Sequence, residues 1–162
     1  MAAIEELAGM DILCSDKTGT LTKNTMTLST PFVINNFTEN DLYYYGALAS
    51  KKENADPIEL PIFEYIQEHD FNTKINEQEL LRFIPFDPVR KRTEGIYKTE
   101  SNNLHVIKGA TQVILSLCDV SKEIREEIEK HNHAFALKGF RSLGVAYKYS
   151  EEKEIIVIKE YI

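Results

Sequence analysis

Leu80–Ala110 reads LLRFIPFDPVRKRTEGIYKTESNNLHVIKGA. LLRFIPFDP, RTEGIYKT and LHVIKGA are rich in β-branched and aromatic residues, and Glu100–Asn103 (ESNN) is a polar break. The pattern is that of consecutive antiparallel strands, with a hairpin turn at 100–103. Ala110 to Cys118 then forms a short apolar helix. Ser121 caps a longer one, with Ile124, Ile128, His131 and Phe135 on one stripe and Gly139 as its stop. Arg141 to Tyr149 and Glu154 to Ile162 read as further strands.

On the N-terminal side, Thr38 opens a helix with Asp41 three residues on, a variant of the capping box. Leu42, Tyr45, Leu48 and Ala49 make its apolar face. KKENA, 51–55, is a polar loop. A second helix is expected from Asp56 as N-cap and Pro57 at the first helical position, burying Ile58, Ile62, Phe63 and Ile66. Pro61 falls inside that pattern and is expected to kink it, unless the helix starts later. Asn24–Ile34 reads as a strand interrupted by Pro31. Grouped strands and helices, not strict alternation, give an α+β class: a twisted antiparallel sheet flanked by helices.

Bulk composition sets limits. With 162 residues, the chain holds one sizeable domain, or one domain and a fragment of another. The net charge of −7 argues against nucleic acid or an anionic membrane surface as the main partner. Cys14 and Cys118 lie in apolar surroundings, which predicts buried, reduced thiols rather than a disulfide framework. No run approaches the ~20 apolar residues that span a bilayer, and Glu5 and Glu6 break any leader-like start. Met1–Met10 carries Ile4, Leu7 and Ala8 at helical spacing.

Asp11–Thr22, DILCSDKTGTLT, carries the chemistry. Ile12, Leu13 and Cys14 resemble a short buried strand, and Gly19 permits a turn. That places Asp16 at a strand end, where open α/β sheets put their reactive groups. A carboxylate there can accept a phosphoryl group. Lys17 and the hydroxyls of Thr18 and Thr20 can meet the charge of the phosphate.

DKTGTLT resembles the phosphorylation signature of the P-type cation-transporting ATPases. The longer run 4–22, IEELAGMDILCSDKTGTLT, is similar to the plasma-membrane proton-pumping branch. The resemblance implies Asp16 as acceptor of the γ-phosphoryl group of ATP, aided by Lys17 and Thr18, with Mg2+ bridged by Asp16 and the Thr18 carbonyl. Related phosphatases of the haloacid-dehalogenase type carry a second Asp two residues after the nucleophile, where this chain has Thr18. Losing that base slows hydrolysis of an aspartyl phosphate, as a pump requires and a phosphatase does not.

Three further motifs follow in family order. Phe83–Arg92, FIPFDPVRKR, resembles the segment that holds the nucleotide base, with Phe86 stacking on adenine and Lys91 as an auxiliary cation. Lys108-Gly109-Ala110 resembles the nucleotide-pocket lysine, placed at the edge of the pocket, with Gly109 allowing close approach of the base. Relatives continue with Pro where Thr111 stands here. GFRSLGVA, 139–146, is similar to the strand that brings an arginine, here Arg141, to the phosphates. Asp56 and Glu59 in ADPIEL match an acidic motif that faces the adenine amino group, although helix capping also accounts for Asp56. His131 and His133, two apart on a helix, point to different faces, and His105 is expected on the hairpin surface.

The resemblance therefore implies two pieces. Residues 1–30 are a strand–loop fragment of a Rossmann-like, haloacid-dehalogenase-type phosphorylation domain. Residues 31–162 are a nucleotide-binding domain. The TGDGxND motif that completes the magnesium site in the family does not occur in the sequence. Its expected partners are ATP and the remaining phosphorylation, actuator and membrane domains of a parent pump. It would lie on the cytosolic side without touching the membrane. The competing expectations are a haloacid-dehalogenase-type phosphatase and a non-catalytic interaction module.

Overall fold

The strand-rich stretch 79–110 folds as expected, and its hairpins dictate the sheet. The computed structural model describes residues 11–150, except 13, 18, 19, 24, 35, 36, 55, 56, 72–74 and 76. β1 (Glu79–Asp87), β2 (Arg92–Lys98), β3 (Asn103–Ala110) and β4 (Leu143–Ser150) form a four-stranded sheet in the order β1-β2-β3-β4. Every neighbouring pair is antiparallel. β1 is an outer strand, the place where a proline such as Pro85 can be accommodated. Between β3 and β4 come two helices, α3 (Thr111–Leu117) and α4 (Lys122–Leu137). α1 (Glu39–Leu48) and α2 (Leu60–Glu68) precede the sheet.

α1 begins as its sequence dictates. The Thr38 hydroxyl accepts from the Asp41 N–H, and the Asp41 carboxylate accepts from the Thr38 N–H at 2.8 Å. The Thr38 hydroxyl, donating at 2.7 Å, and then the Thr38 N–H hold the Asp41 carboxyl below the usual carboxylate range. α2 differs from expectation: it starts at Leu60 with Glu59 at the cap position, so Pro61 falls in its first turn. There the missing N–H is not needed, and no kink is imposed. Asp56 lies outside the described residues. α4 starts on the Ser121 side chain and ends in Gly139 at φ 78°. The Gly139 and Phe140 N–H groups donate back to Ala136 and Phe135, a Schellman closure.

The two faces of the sheet bury different partners. On one, Tyr97, Leu104 and Val106 pack with Leu48 and Ala49 of α1 and its end. α2 joins through Ile62 and Ile66 against Tyr43 and Ala47. α1 is thus buried on two sides, wider than the single stripe of the sequence pattern. On the other face, Ile107 and Ala146 pack with Ile114 of α3. His105 belongs to this second face and is only 3% exposed, not on a hairpin surface. It sits on a strand flanked on both sides, so alternation put it inward rather than outward. The α4 stripe is half-buried, with His131 stacked on Phe32 at 3.7 Å.

Three expectations for the N-terminal part are corrected. Ile12 is 79% exposed and Cys14 is exposed, so neither lies in a buried strand here, and Leu13 lies outside the described residues. No described strand pairs with Ile12 or Cys14, and an apolar run becomes a buried strand only beside neighbours. Residues 25–34 form no strand among the described residues. Both cysteines are free, but only Cys118 is partly buried, and burial pushes its thiol up to about 11. The segments Met1–Met10 and Glu154–Ile162 lie outside the described residues. Arg141 precedes β4 instead of opening it.

The end of α1 lies close against β2. An added Cβ on Gly95 would lie 2.5 Å from the Leu48 carbonyl oxygen and 2.9 Å from the Tyr97 ring. That carbonyl accepts from the Tyr97 hydroxyl at 2.8 Å. Gly95→Ala is expected to cost roughly 1–3 kcal/mol, as overpacking does, read as a lowered denaturation midpoint. An unchanged midpoint would mean that α1 does not seat on β2 as described. Burial also pushes the Tyr97 hydroxyl up to about 12, and burial first, then Tyr149 and Tyr147, raises Tyr45. Folding favours the neutral phenols, so their contribution is complete below the ordinary value of 10.0 and is lost as pH climbs towards 12. Unfolding followed by circular dichroism should therefore show stability falling over that alkaline window. Stability that held constant through it would contradict the burial of these rings.

Candidate functional site

Lys108 breaks an apolar pattern. It follows Leu104 and Val106 on the face covered by α1, yet it is itself 3% exposed. A buried ammonium is tolerated only when paired and hydrogen-bonded. Its Nζ donates to Glu59 Oε1 and to Ser50 Oγ. Glu59 comes from the start of α2 and Ser50 from just beyond α1. The Ser50 hydroxyl in turn donates to the Gly46 carbonyl at 2.7 Å. The cation therefore sits at the C-terminal end of a helix, where the macrodipole favours positive charge. Lys108 lies deep in the sheet face.

The strand register groups the other candidates at one end of the sheet. Thr93 pairs with Lys108, and Lys108 with Val145. A register shift between Ile84 and Asp87 adds one residue to β1. Within that bulge Pro85 and Phe86 together stand across from Thr93, the strand partner of Lys108. Phe86 is 60% exposed, an uncovered ring at the rim of this row. The turn that follows is braced by Asp87, whose Oδ1 accepts from the Val89 N–H (2.9 Å) and the Arg90 N–H (2.7 Å). The Arg90 N–H is the main cause holding the Asp87 carboxyl low. The turn ends in Lys91, exposed and at φ 51°.

Gly109 serves the chain itself. A Cβ there would lie 2.3 Å from the Lys91 carbonyl oxygen, which accepts from the Ala110 N–H at 3.1 Å. The glycine lets the β1–β2 turn fold onto β3, which fixes Lys91 against Ala110, two residues beyond Lys108. Arg141 is exposed and follows directly on the Schellman closure of α4. Lys108, Arg141 and Leu143 line a cleft of about 900 Å3, walled also by 25–34, α1, α3 and α4. Phe86 and Lys91 lie outside its walls.

Of the DKTGT loop, Asp16 and Lys17 are exposed, and Thr18 and Gly19 are outside the described residues. The Lys17 carbonyl accepts from the N–H groups of Leu21 (3.1 Å) and Thr22 (3.0 Å), and Lys17 lines the same cleft. Among the described residues no group of three acidic, histidine or cysteine side chains gathers to hold a metal. Asp16 offers a hard oxygen ligand of the kind Mg2+ takes. The residues that sequence reasoning passed over are Ser50 and Thr93. The Thr93 hydroxyl donates to the Ala49 carbonyl at 2.5 Å. Neither has a local signal, because their roles depend on partners 58 and 44 positions away.

Comparison with known proteins agrees with this arrangement. The family model described as the P-type ATPase cytoplasmic domain N matches residues 4–161. A Methanocaldococcus jannaschii protein provisionally assigned as a cation-transporting ATPase is 46% identical over 90% of this chain and 18% of its own length. A plasma membrane ATPase of Kluyveromyces lactis is 36% identical over 93% of this chain and 18% of its own. One from Neurospora crassa is 36% identical over 93% of this chain and 17% of its own. The chain thus spans less than a fifth of the length of these relatives. Among its described residues no helix is long and apolar enough to cross a membrane. With the family model covering nearly all of it and an antiparallel sheet flanked by helices, this chain belongs to the P-type ATPase cytoplasmic N domain family.

Proposed function

We propose that the chain is the ATP-holding portion of a cation pump. In this reading residues 31–162 bind the nucleotide, and residues 1–30 carry the phosphate acceptor, Asp16. The observation that supports it best is the row Thr93–Lys108–Val145, with Glu59 on Lys108, the bulged Phe86 next to the row in β1 and Arg141 in the adjoining cleft. An exposed aromatic ring offers a stacking surface for adenine. Lys91 and Arg141, both exposed, are free in solvent to meet phosphates, and Arg141 can do so with two parallel bonds. Glu59, and Asp56 before it, would face the amino group of the base. Gly109 keeps the turn tight beneath.

Asp16 would take the γ-phosphoryl group as a mixed anhydride in the parent protein, with Lys17 and Thr18 beside it and Mg2+ neutralising charge. Most of the catalysis in phosphoryl transfer is positioning and electrostatic stabilisation, and here Asp16 and Lys17 stand exposed. The same reading makes the remaining phosphorylation, actuator and membrane domains its partners and places it at the cytosolic face of the membrane. The choice of proton as the transported ion rests on the run 4–22 alone.

Two outcomes follow for the 162-residue chain. ATP titrated by calorimetry should bind, and Phe86→Ala should weaken binding about tenfold or more, since base–aromatic stacking contributes ~1–3 kcal/mol. Unchanged affinity would remove Phe86 from the site. Incubation with γ-labelled ATP and Mg2+ should leave Asp16 without a stable acyl-phosphate label. Stoichiometric, hydroxylamine-sensitive labelling would show that the chain completes the phosphorylation site by itself.

A further inference from the structure

The structure assigns Ser50 as the positioning residue of the nucleotide site: its hydroxyl, anchored on the Gly46 carbonyl, holds the Lys108 ammonium in the geometry that receives ATP. This rests on the reading of Lys108 as a nucleotide-site residue and adds to it a residue from outside the recognised motifs.

The geometry is specific. Ser50 is 7% exposed and lies two residues beyond the end of α1. Its oxygen is the acceptor for Lys108 Nζ, and its proton goes to the Gly46 carbonyl at 2.7 Å. A hydroxyl can do both at once, which no apolar side chain can. Glu59 binds the same ammonium from the side of α2. Lys108 is thereby held between the end of one helix and the start of another, and its position is set by both. A flexible four-carbon stem on a strand would otherwise let the ammonium take several places.

Two neighbouring bonds make the anchor firm. The carbonyls of Leu48 and Ala49 accept from Tyr97 and Thr93, so the end of α1 is tied to β2 in the two residues just before Ser50. Thr93 is also the strand partner of Lys108. The hydroxyl that fixes the cation is therefore itself fixed to the strands that carry the site. Preorganisation of this kind cuts the ordering cost of binding.

A double-mutant cycle on the 162-residue chain tests this, with ATP affinity by calorimetry and thermal unfolding for each variant. Expected is a roughly tenfold loss of affinity for Ser50→Ala, the scale of a hydrogen bond to a charged group. Lys108→Met should lose at least as much. In the Lys108→Met background, Ser50→Ala should then change affinity by less than about twofold, because coupled residues are non-additive. A purely structural serine would instead cost the same in both backgrounds, and that result overturns the proposal. So does unchanged affinity in a folded Ser50→Ala chain. Should Ser50→Ala lack a cooperative transition, Ser50→Cys, close in volume and a weak acceptor, carries the same comparison. If the unaltered chain does not bind ATP, or Lys108→Met binds as well as it, the reading of the nucleotide site fails first. If both of those hold and only the coupling is absent, Ser50 alone is excluded.

Discussion

The last carbonyls of an α-helix have no donors within the helix. In this domain the sheet supplies two of them and Ser50 a third. Leu48 receives the Tyr97 hydroxyl, Ala49 the Thr93 hydroxyl, and Gly46 the Ser50 hydroxyl that carries Lys108. The bonds require α1 to lie almost on β2, and only a glycine at 95 leaves room for it. The packing of α1, the placement of α2 beside it and the burial of the lysine all follow from this one seating. Removing a partner from such a set leaves a desolvated polar group behind, which is more costly than the bond itself.

The same seating explains why a charge can lie in the core. Lys108 is compensated by a carboxylate, a hydroxyl and the negative end of a helix dipole. A buried ion pair of this kind is weak support for stability, because desolvation offsets much of the attraction. It does fix geometry. The antiparallel register then carries that geometry outward, to Phe86 across β2 and to Val145 across β3. Arg141 and Lys91 stand on turns at the same end of the sheet, one closed by Gly139 and the other by the carboxylate of Asp87.

Much of the fold is legible residue by residue. The capping box at Thr38, the hairpin at 100–103, the Ser121 cap and the Gly139 stop all act within a few residues, so local sequence contains them. The errors have a common origin. Ile12–Cys14 has the composition of a buried strand, yet a strand needs neighbours, and no described strand pairs with it. The start of α2 lies later than the apolar periodicity alone indicates, because a helix start can shift by a turn without changing that periodicity. His105 alternates like a surface residue, but it sits on a strand with partners on both sides. Of the site, the DKTGT loop, the lysine and the arginine are visible as motifs. Ser50 and Thr93 are not, since each is a common residue whose importance lies in a distant partner.

The amino-acid sequence by itself determined the class, the order of strands and helices, and the family motifs, because these depend on local propensity and short spacings. Tertiary structure decided which of those residues meet. It set Lys108 against Glu59 and Ser50, gave Gly95 and Gly109 their purpose as contact points of backbone on backbone, and placed Phe86 across from the lysine's strand partner through a single bulge. The physical reason is that hydrogen bonds and steric clearances between segments tens of residues apart exist only once the sheet and α1 are docked.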